Sequence, residues 1–260
     1  MADVLTTLYN SAGDPINIRD LERRALGLRK RVLDLSLETG IGHLGGSLSM
    51  IEMMVALYDT ALQKKDIFIL SKGHCCLPYY LMLREQGYNP RISGHPDRDP
   101  INGIKCTTGS LGHGLPLGVG MALAKKLKRK SGKVYVLMSD GECEEGTTWE
   151  SSLLASKYKL DNLVAFVDNN KMQALGFVDD ILPLGDLGKK LEAFGWNVRE
   201  VDGHSFHEIV PALQVRTYQP YAIVAHTTKG KGVSFMENNA EWHAKKPTAE
   251  RLKGAYEELK

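Results

Sequence analysis

The stretch that most constrains the fold runs from Lys133 to Gly176 and alternates apolar runs with polar clusters. Residues 134–138 and 163–167 are apolar runs of strand length, rich in β-branched and aromatic side chains. Residues 147–158 lie between them and have helical spacing, with apolar positions at Trp149, Leu153, Leu154 and Tyr158. A strand, a helix and a strand in this order predict a parallel pair joined by a right-handed crossover.

A polar cluster follows each of these predicted strands. Asp140 stands after the first strand and Asn170 after the second, so both are expected at the ligand-binding edge of an open α/β sheet. Carboxylate and amide oxygens without histidine or cysteine suit Mg²⁺ or Ca²⁺. Ordinary turns have the same composition, and the spacing alone leaves both interpretations open. An EF-hand loop is excluded, because Glu145 occupies the position that requires glycine.

Composition narrows the class of protein. The chain has 260 residues, 43% hydrophobic and 25% charged, with a net charge of +2, as in ordinary globular proteins. This charge argues neither for a nucleic-acid partner nor for a membrane surface, and we expect neither. No apolar run approaches the roughly 18 residues of a membrane span. The start of the chain does not resemble a signal peptide, and the four cysteines form no CxxC pair, so we expect a reduced, cytoplasmic protein.

The remaining chain continues the alternation of strands and helices. Predicted strands cover residues 66–70, 134–138, 163–167, 196–201 and 221–225. The pattern predicts an α/β fold with a doubly wound, mostly parallel sheet and helices on both faces. We expect one domain over residues 1–260, with residues 1–15 as a loose N-terminal segment that docks on the rest and residues 244–260 as a short helix. Residues 49–62 are predicted as one buried helix, and residues 176–188 as a loop with a short strand.

Glycine and histidine are concentrated in the predicted loops. Four glycines surround His43, and residues 107–115 form a glycine-rich segment that opens a helix and predicts a backbone phosphate site. This segment is neither a P-loop nor a Rossmann fingerprint. Most histidines fall on or near one edge of the predicted sheet, which favours a polar cleft there: His43, His74, His95, His113, His226 and His243. His204 and His207 leave a zinc pair as a weaker alternative.

The central stretch resembles the thiamine-diphosphate motif of transketolases. The matching residues are Ser139-Asp140-Gly141, Glu145-Gly146, Trp149-Glu150, Asn162-Leu163, Asp168 and Asn170-Lys171. Other segments resemble the same family: residues 42–48, 71–74, 94–97, 107–114, 202–204, 226–232 and 235–243. The chain departs from the family pattern at Leu44, Ser110, His113 and Ser139.

The resemblance implies thiamine diphosphate as cofactor, bound through Mg²⁺ or Ca²⁺. It implies that Asp140, Asn170 and the carbonyl of Met172 hold the metal. The residues that it implies for the diphosphate are Leu111, Gly112, Gly141 and His74. The resemblance also implies that Glu145 belongs to the cofactor-binding residues, and that it lies at the dimer interface rather than against the reacting carbon. The residues that it implies for catalysis, as contacts to substrate hydroxyls or as acids and bases, are His43, His74, His95 and His243.

The resemblance also implies a partner. It covers the first third to two-fifths of a full transketolase, and the family's cofactor lies between this domain and a pyrimidine-binding domain. We therefore expect the N-terminal subunit of a split transketolase that transfers a two-carbon ketol unit between sugars or sugar phosphates, with a C-terminal partner subunit in an α₂β₂ assembly.

Two alternatives remain open. One is a subunit of another thiamine-diphosphate enzyme, of the 2-oxo acid dehydrogenase or deoxyxylulose-phosphate synthase type. The other is a catalytically inactive partner protein. The histidine set His43, His74 and His95 favours a sugar-handling transketolase, and the presence of Asp140 and Asn170 argues against an inactive protein.

Overall fold

The computed structural model describes residues 8–260. Its five strands are β1 (Ile67–Leu70), β2 (Val134–Ser139), β3 (Leu163–Asn169), β4 (Asn197–Asp202) and β5 (Tyr221–His226). They form one sheet in the order β1-β2-β3-β5-β4, and every pair is parallel. The predicted α/β fold is confirmed, and the predicted strands agree with the observed ones to within one or two residues at each end.

Helices cover both faces of this sheet. They are α1 (Ile18–Thr39), α2 (Leu44–Ser49), α3 (Ile51–Ala56), α4 (Leu77–Glu85), α5 (Gly114–Leu127), α6 (Gly146–Lys157), α7 (Val178–Ile181), α8 (Leu187–Ala193), α9 (Phe206–Leu213) and α10 (Ala249–Glu258). Tyr135 and Leu137 of β2 point into a core shared with α1, α3, α4 and α9. Val134 and Val136 point into a second core under α5 and α8. Alternation along each strand thus fills two separate cores.

The N-terminal segment can be described only in part, since residues 1–7 of the predicted loose segment lie outside the described residues. Tyr9 and Pro15 form an isolated antiparallel bridge. The Ser11 amide donates to the Thr60 carbonyl at 2.8 Å, so residues 8–15 form a turn that contacts the end of the helical segment above the sheet.

Two predicted elements differ from the structure. The single helix expected over residues 49–62 is instead α2, α3 and a π-helical turn at Leu57–Ala61. The chain already turns helical at Leu44 and breaks at Met50, where φ is −99° and ψ is 8°. In the loop 176–188 the regular element is the helical turn α7, because Val178 is buried while Asp179 and Asp180 are exposed, which is not the alternation of a strand.

Helix α6 also faces the opposite way from its apolar pattern. Leu153, Leu154 and Tyr158 are 58%, 48% and 42% exposed. The buried positions are instead small or hydroxyl-bearing: Thr148, Ser151, Ser152 and Ala155. The hydroxyls of Ser151 and Ser152 donate to carbonyls one turn earlier in the helix, so these serines are buried without unpaired polar atoms.

Within residues 8–260, no helix combines the length and the apolar character needed to cross a membrane.

Candidate functional site

The two predicted polar clusters meet at the carboxyl edge of the sheet. Parallel pairing of β2 with β3 places Ser139 opposite Asp168. The next residue, Asp140, donates its amide to the Asp168 carbonyl at 3.3 Å. Two acidic side chains are therefore brought to neighbouring strand ends, as the motif spacing predicts.

Asp168 is fully buried and fully paired. Its carboxylate forms a salt bridge with the buried Lys72 ammonium and accepts from the Ser49 hydroxyl at 2.6 Å. It also accepts from the Thr227 hydroxyl and from the Asn170 amide at 3.1 Å. Burial alone would raise the pKa of Asp168, but Lys72 and the two hydroxyls hold it below its ordinary value. Asp168 is therefore an anion whose charge is already neutralised within the protein.

Asp140 is buried without such a cation. Its carboxylate accepts backbone N–H groups of Gly141 at 2.8 Å and of Lys171 at 2.5 Å, and among the described residues it forms no salt bridge. Burial and then the nearby Asp168 charge raise the pKa of Asp140 to about 6. A buried carboxyl group without a cationic partner, such as Asp140, is suited to bind a cation that enters together with a ligand.

Further oxygen donors lie beside Asp140. The Asn170 side-chain oxygen accepts the Met172 amide at 3.1 Å, and the Met172 carbonyl accepts from the Lys229 ammonium at 3.2 Å. Within residues 8–260, no group of three or more His, Cys, Asp or Glu side chains is arranged to hold a metal ion. One carboxylate, one amide and one carbonyl fit Mg²⁺ only when phosphate supplies further oxygens, which is the usual mode for this ion.

Glu142 is a second buried acid, two residues beyond Asp140. It accepts from the Ser71 hydroxyl, the Gly112 amide at 3.0 Å and the Ser139 amide at 3.3 Å. Burial raises its pKa to about 7 despite these hydrogen bonds. Through these hydrogen bonds Glu142 connects the segments that carry Ser71, Gly112 and Ser139 at the carboxyl edge of the sheet.

Gly112 is held by the protein on both sides. Its amide donates to Glu142, and its carbonyl accepts from the Thr147 hydroxyl at 2.7 Å. Its φ is +79°, and a Cβ atom would stand 2.5 Å from the Glu145 Cβ, so glycine is required here. The Gly112 amide is thus engaged within the protein, and the residue shapes the loop that places Leu111 in the wall of a cleft.

This cleft holds about 140 Å³ and lies above the ends of β2 and β3. Its polar wall contains Asp140, Asn170, Lys72, Lys229 and two histidines, His74 and His243. The Lys229 ammonium also lies 2.9 Å from His243 Nδ1 and 3.0 Å from the Gln173 carbonyl, and burial lowers its pKa to about 8. The Lys229 ammonium has no carboxylate partner among the described residues, so it fits an anionic group such as a diphosphate, whereas Lys72 is already paired with Asp168.

Four predicted histidines converge at the mouth of the cleft. The His43 ring centroid lies 5.3 Å from that of His74, 5.4 Å from His243 and 6.4 Å from His95. His74 and His243 stack at 5.3 Å. His43 adopts a left-handed backbone with φ of 60° at the start of α2, a conformation that is uncommon outside glycine.

Burial favours the neutral form of three of these imidazoles, those of His43, His74 and His243. It lowers the pKa of His43 and His74, with the His95 charge adding to the effect at His43 and the Lys72 charge at His74. Burial and then the Lys229 charge lower the pKa of His243 to about 4. Neutral imidazoles can accept protons and hydrogen bonds from hydroxyl groups at neutral pH.

The family model for the transketolase thiamine diphosphate binding domain matches residues 23–257. The chain belongs to the transketolase family. It is 39% identical to an apulose-4-phosphate transketolase subunit of Actinobacillus succinogenes, over 95% of this chain and 99% of that protein. It is also 39% identical to a 6-deoxy-6-sulfo-D-fructose transketolase subunit of Clostridium sp. (strain MSTE9), over 92% of this chain and 96% of the relative.

Full-length transketolases match over a smaller part of their own length. Human transketolase is 35% identical over 89% of this chain and 41% of its own length. The crystal structure of Campylobacter jejuni transketolase superposes with a TM-score of 0.83 and 26% identity, over 94% of this chain and 43% of that one. These matches confirm the expected family and the expected character of an N-terminal transketolase subunit.

Several residues of this transketolase subunit lie outside the cleft. His113 is exposed and bonds locally to the Leu111 carbonyl, while His226 pairs with Glu200 at 2.7 Å. Glu145 is exposed at the start of α6. His204 has both ring nitrogens engaged, by Glu52 and by the Thr228 amide, so neither nitrogen is available for a zinc pair with His207.

The sequence pattern did not assign roles to the buried lysines of this transketolase cleft. Lys72 precedes His74 in the Ser-Lys-Gly-His segment, and Lys229 stands in the Lys-Gly-Lys-Gly segment that was matched to the family only as a pattern. The position of Lys72 close to the predicted active-site residue His74 was the only feature of the sequence that could have indicated a role for a lysine. Glu142 gave less signal, because it lies among four acids within six residues of the chain.

Proposed function

We propose that this chain is the thiamine-diphosphate-binding subunit of a two-chain transketolase that transfers a two-carbon ketol unit from a ketose phosphate to an aldose phosphate. The observation that carries the proposal is one cleft that joins a buried, cation-free Asp140 to two buried lysines and four clustered imidazoles. The two-chain form is supported by relatives that are themselves named as transketolase subunits, because this chain matches them over nearly their whole length.

The residues present fit the cofactor and its metal. Asp140, the Asn170 side-chain oxygen and the Met172 carbonyl would hold Mg²⁺ or Ca²⁺. The Lys229 ammonium would neutralise diphosphate charge, while Lys72 keeps its salt bridge with Asp168. Thiamine diphosphate, when bound, supplies a nucleophilic thiazolium carbon and an electron sink. Gly141 lines the same cleft, where its backbone can approach the diphosphate.

The histidines would act on the substrate. His43, His74, His95 and His243 surround the opening through which a sugar must approach. Three of them have lowered pKa values, so they would be uncharged at neutral pH, would accept hydrogen bonds from sugar hydroxyls and would not repel a cationic cofactor ring. Relatives named for apulose-4-phosphate and for 6-deoxy-6-sulfo-D-fructose suggest that the substrate is a sugar carrying a phosphate or a similar anionic group.

The direct test is ketol transfer by the purified chain together with a pyrimidine-domain subunit. We expect transfer from a ketose phosphate only with both chains, thiamine diphosphate and Mg²⁺ present. His43→Ala should lower kcat/KM by about 100-fold or more. His207→Ala, an exposed position on α9, is the matched control and should leave the rate unchanged. Absence of cofactor binding with and without the partner would refute the proposal.

An exposed apolar surface on α5 and α6 is the proposed contact for the partner subunit. Its large residues are Leu117, Leu127, Leu153, Leu154 and Tyr158. The two helices pack together, and each begins beside the cleft, after Gly112 and after Glu145. Exposed apolar residues on neighbouring helices are typical of protein interfaces. We propose that it is covered in an α₂β₂ assembly whose second subunit completes the cofactor site.

Association measurements test this surface. The double variant Leu153→Ser/Leu154→Ser should weaken assembly with the partner by tenfold or more in size-exclusion and light-scattering experiments. Tyr218→Ser removes a still more exposed apolar residue beyond α9 and should leave assembly intact. Equal effects of the two variants would exclude the surface.

We further propose that this function belongs to the cytoplasm. All four cysteines are free, and three of them are buried, as in proteins from reducing compartments.

A further inference from the structure

His204 lies in the turn after β4 and is held at both ring nitrogens. Its Nδ1 is 3.1 Å from a carboxylate oxygen of Glu52, and its Nε2 is 2.8 Å from the backbone nitrogen of Thr228. A backbone N–H only donates, so Nε2 must be the acceptor and Nδ1 must carry the proton to Glu52. The surroundings therefore select one neutral tautomer of His204.

Glu52 belongs to a buried ion pair beneath the same loop. Glu52 and Arg29 are 6% and 5% exposed, and their closest charged atoms are 2.7 Å apart. The Arg29 Nε also donates to the Lys231 carbonyl at 3.1 Å. Arg29, Glu52 and His204 thus hold the backbone on both sides of Lys229, at Thr228 and at Lys231.

The held segment carries the cleft lysine. Lys229 reaches the Met172 and Gln173 carbonyls and His243, and the preceding Thr227 donates to Asp168. The following Gly230 donates its amide to the Gly45 carbonyl at 2.8 Å, and a Cβ atom there would stand 2.3 Å from the Met236 carbonyl oxygen. The backbone of this segment therefore has little room to shift without moving Lys229.

We propose that His204 is a positioning residue: through its bond to the Thr228 amide, and supported by Glu52 and Arg29, it fixes Lys229 in the cleft. The expected effect on cofactor binding rests on the proposed function, in which Lys229 faces an anionic cofactor. The effect on the Thr227–Lys231 backbone follows from the hydrogen bonds alone. The ring makes no contact with the cleft itself, so His204 acts through the backbone and not on a bound molecule.

Two near-isosteric variants separate positioning from simple core stability. An asparagine amide nitrogen can replace the Nδ1 donor to Glu52 but leaves the Thr228 amide without an acceptor. A glutamine oxygen can reach the Nε2 position and accept from Thr228, but leaves Glu52 without its donor. Positioning therefore predicts that His204→Gln keeps its affinity for the cofactor and that His204→Asn binds it more weakly, whichever variant is the more stable.

The experiment measures thiamine diphosphate affinity in the presence of Mg²⁺ by titration calorimetry, hydrogen exchange of residues 227–232 by mass spectrometry, and denaturant unfolding. We expect His204→Asn to weaken affinity about tenfold, the equivalent of one hydrogen bond, and to accelerate exchange in this segment. His204→Gln should stay within about threefold of the unsubstituted chain in affinity. His207→Gln is the exposed control, and Lys229→Met should weaken binding with exchange of the segment unchanged.

Equal losses of affinity in the two His204 variants, or a loss that follows their unfolding free energies, would overturn the positioning role. If the unsubstituted chain with its partner binds no thiamine diphosphate, the proposed function fails, and the exchange measurement alone decides on His204. Unchanged exchange at residues 227–232 in His204→Asn would then reject the proposal as well.

Discussion

Asp168 and Glu142 are both completely buried carboxylates at the carboxyl edge of the sheet, and the protein treats them in opposite ways. Asp168 has its own cation, Lys72, and its pKa is held below the ordinary value. Glu142 has only neutral donors, and burial raises its pKa to about 7. Asp140 resembles Glu142, with a pKa of about 6 and no salt bridge among the described residues.

The difference distinguishes a carboxylate that stabilises the fold, Asp168, from carboxylates that remain able to bind a cation. The Asp168 network is complete without any ligand, and it fixes the ends of β3 and of the loops that carry Ser49, Lys72 and Thr227. Asp140 and Glu142 are two buried acids that lack a countercharge of comparable strength. Burying an unpaired carboxylate is unfavourable, so this arrangement makes sense where a cation is to be bound nearby.

The largest effect is expected from Asp168→Asn. The substitution leaves the Lys72 ammonium buried without an anion, and removal of one partner from a buried pair costs about 3–5 kcal/mol of unfolding free energy. Asp161→Asn breaks the partly exposed pair with Lys126 and should cost no more than about 1 kcal/mol. Denaturant unfolding at pH 7 measures both. Equal losses would mean that Lys72 and Asp168 do not form a charged pair in the folded chain.

The sequence predicts the positions of these acids but not their partners. Strand periodicity and the motif spacing place Asp140 and Asp168 at adjacent strand ends, and the glycine- and histidine-rich loops predict the imidazole cluster. The cation that pairs with Asp168 comes from 96 residues away, and one of its hydroxyl donors comes from 119 residues away. Such pairings depend on how the loops pack over the sheet edge, and no local pattern specifies them.

The apolar pattern of α6 likewise does not tell which face of the helix is buried. Its apolar residues suggest a buried stripe, but small and hydroxyl-bearing residues allow close packing, and Leu153 and Leu154 point outward. An apolar pattern reports which residues avoid water in the final assembly, and part of that assembly is another chain under the proposed function.

A smaller effect, with a distinct pH dependence, is expected from Glu142→Gln. The folded-state pKa of Glu142 lies above its unfolded value of about 4.5, so its burial costs nothing below pH 4.5 and the full amount above pH 7. The interval corresponds to about 3 kcal/mol. Glutamine does not titrate, so the unfolding free energy of the variant should rise relative to the unsubstituted chain between pH 4.5 and 7.

Unfolding titrations at several pH values measure this difference directly. Glutamine presents an N–H group to one of the two backbone amides that Glu142 accepts, Gly112 or Ser139, and this cost is the same at every pH. Only the slope with pH is therefore diagnostic. If the difference in unfolding free energy between the two chains is constant from pH 4.5 to 7, Glu142 is charged in the folded chain. The Glu142 carboxyl group would then resemble that of Asp168.

Asp140→Asn should change the stability of the ligand-free chain least. Loss of the buried charge is favourable above pH 6, because the pKa of Asp140 is raised to about 6 in the folded state, but asparagine can accept only one of the two backbone N–H groups that the carboxylate accepts. These effects oppose each other, and we expect a net change of no more than about 1 kcal/mol at pH 7. The same substitution that strongly destabilises the protein at position 168 is thus tolerated at position 140.

The cost of Asp140→Asn should appear only with ligand. Thiamine diphosphate with Mg²⁺ should raise the Tm of the unsubstituted chain with its partner and leave that of the variant unchanged, because a carboxylate donor to the cation is lost. A large loss of stability in the ligand-free variant would show that Asp140 belongs to the architecture, like Asp168. The cleft would then lack the open anionic group on which the proposed metal site depends.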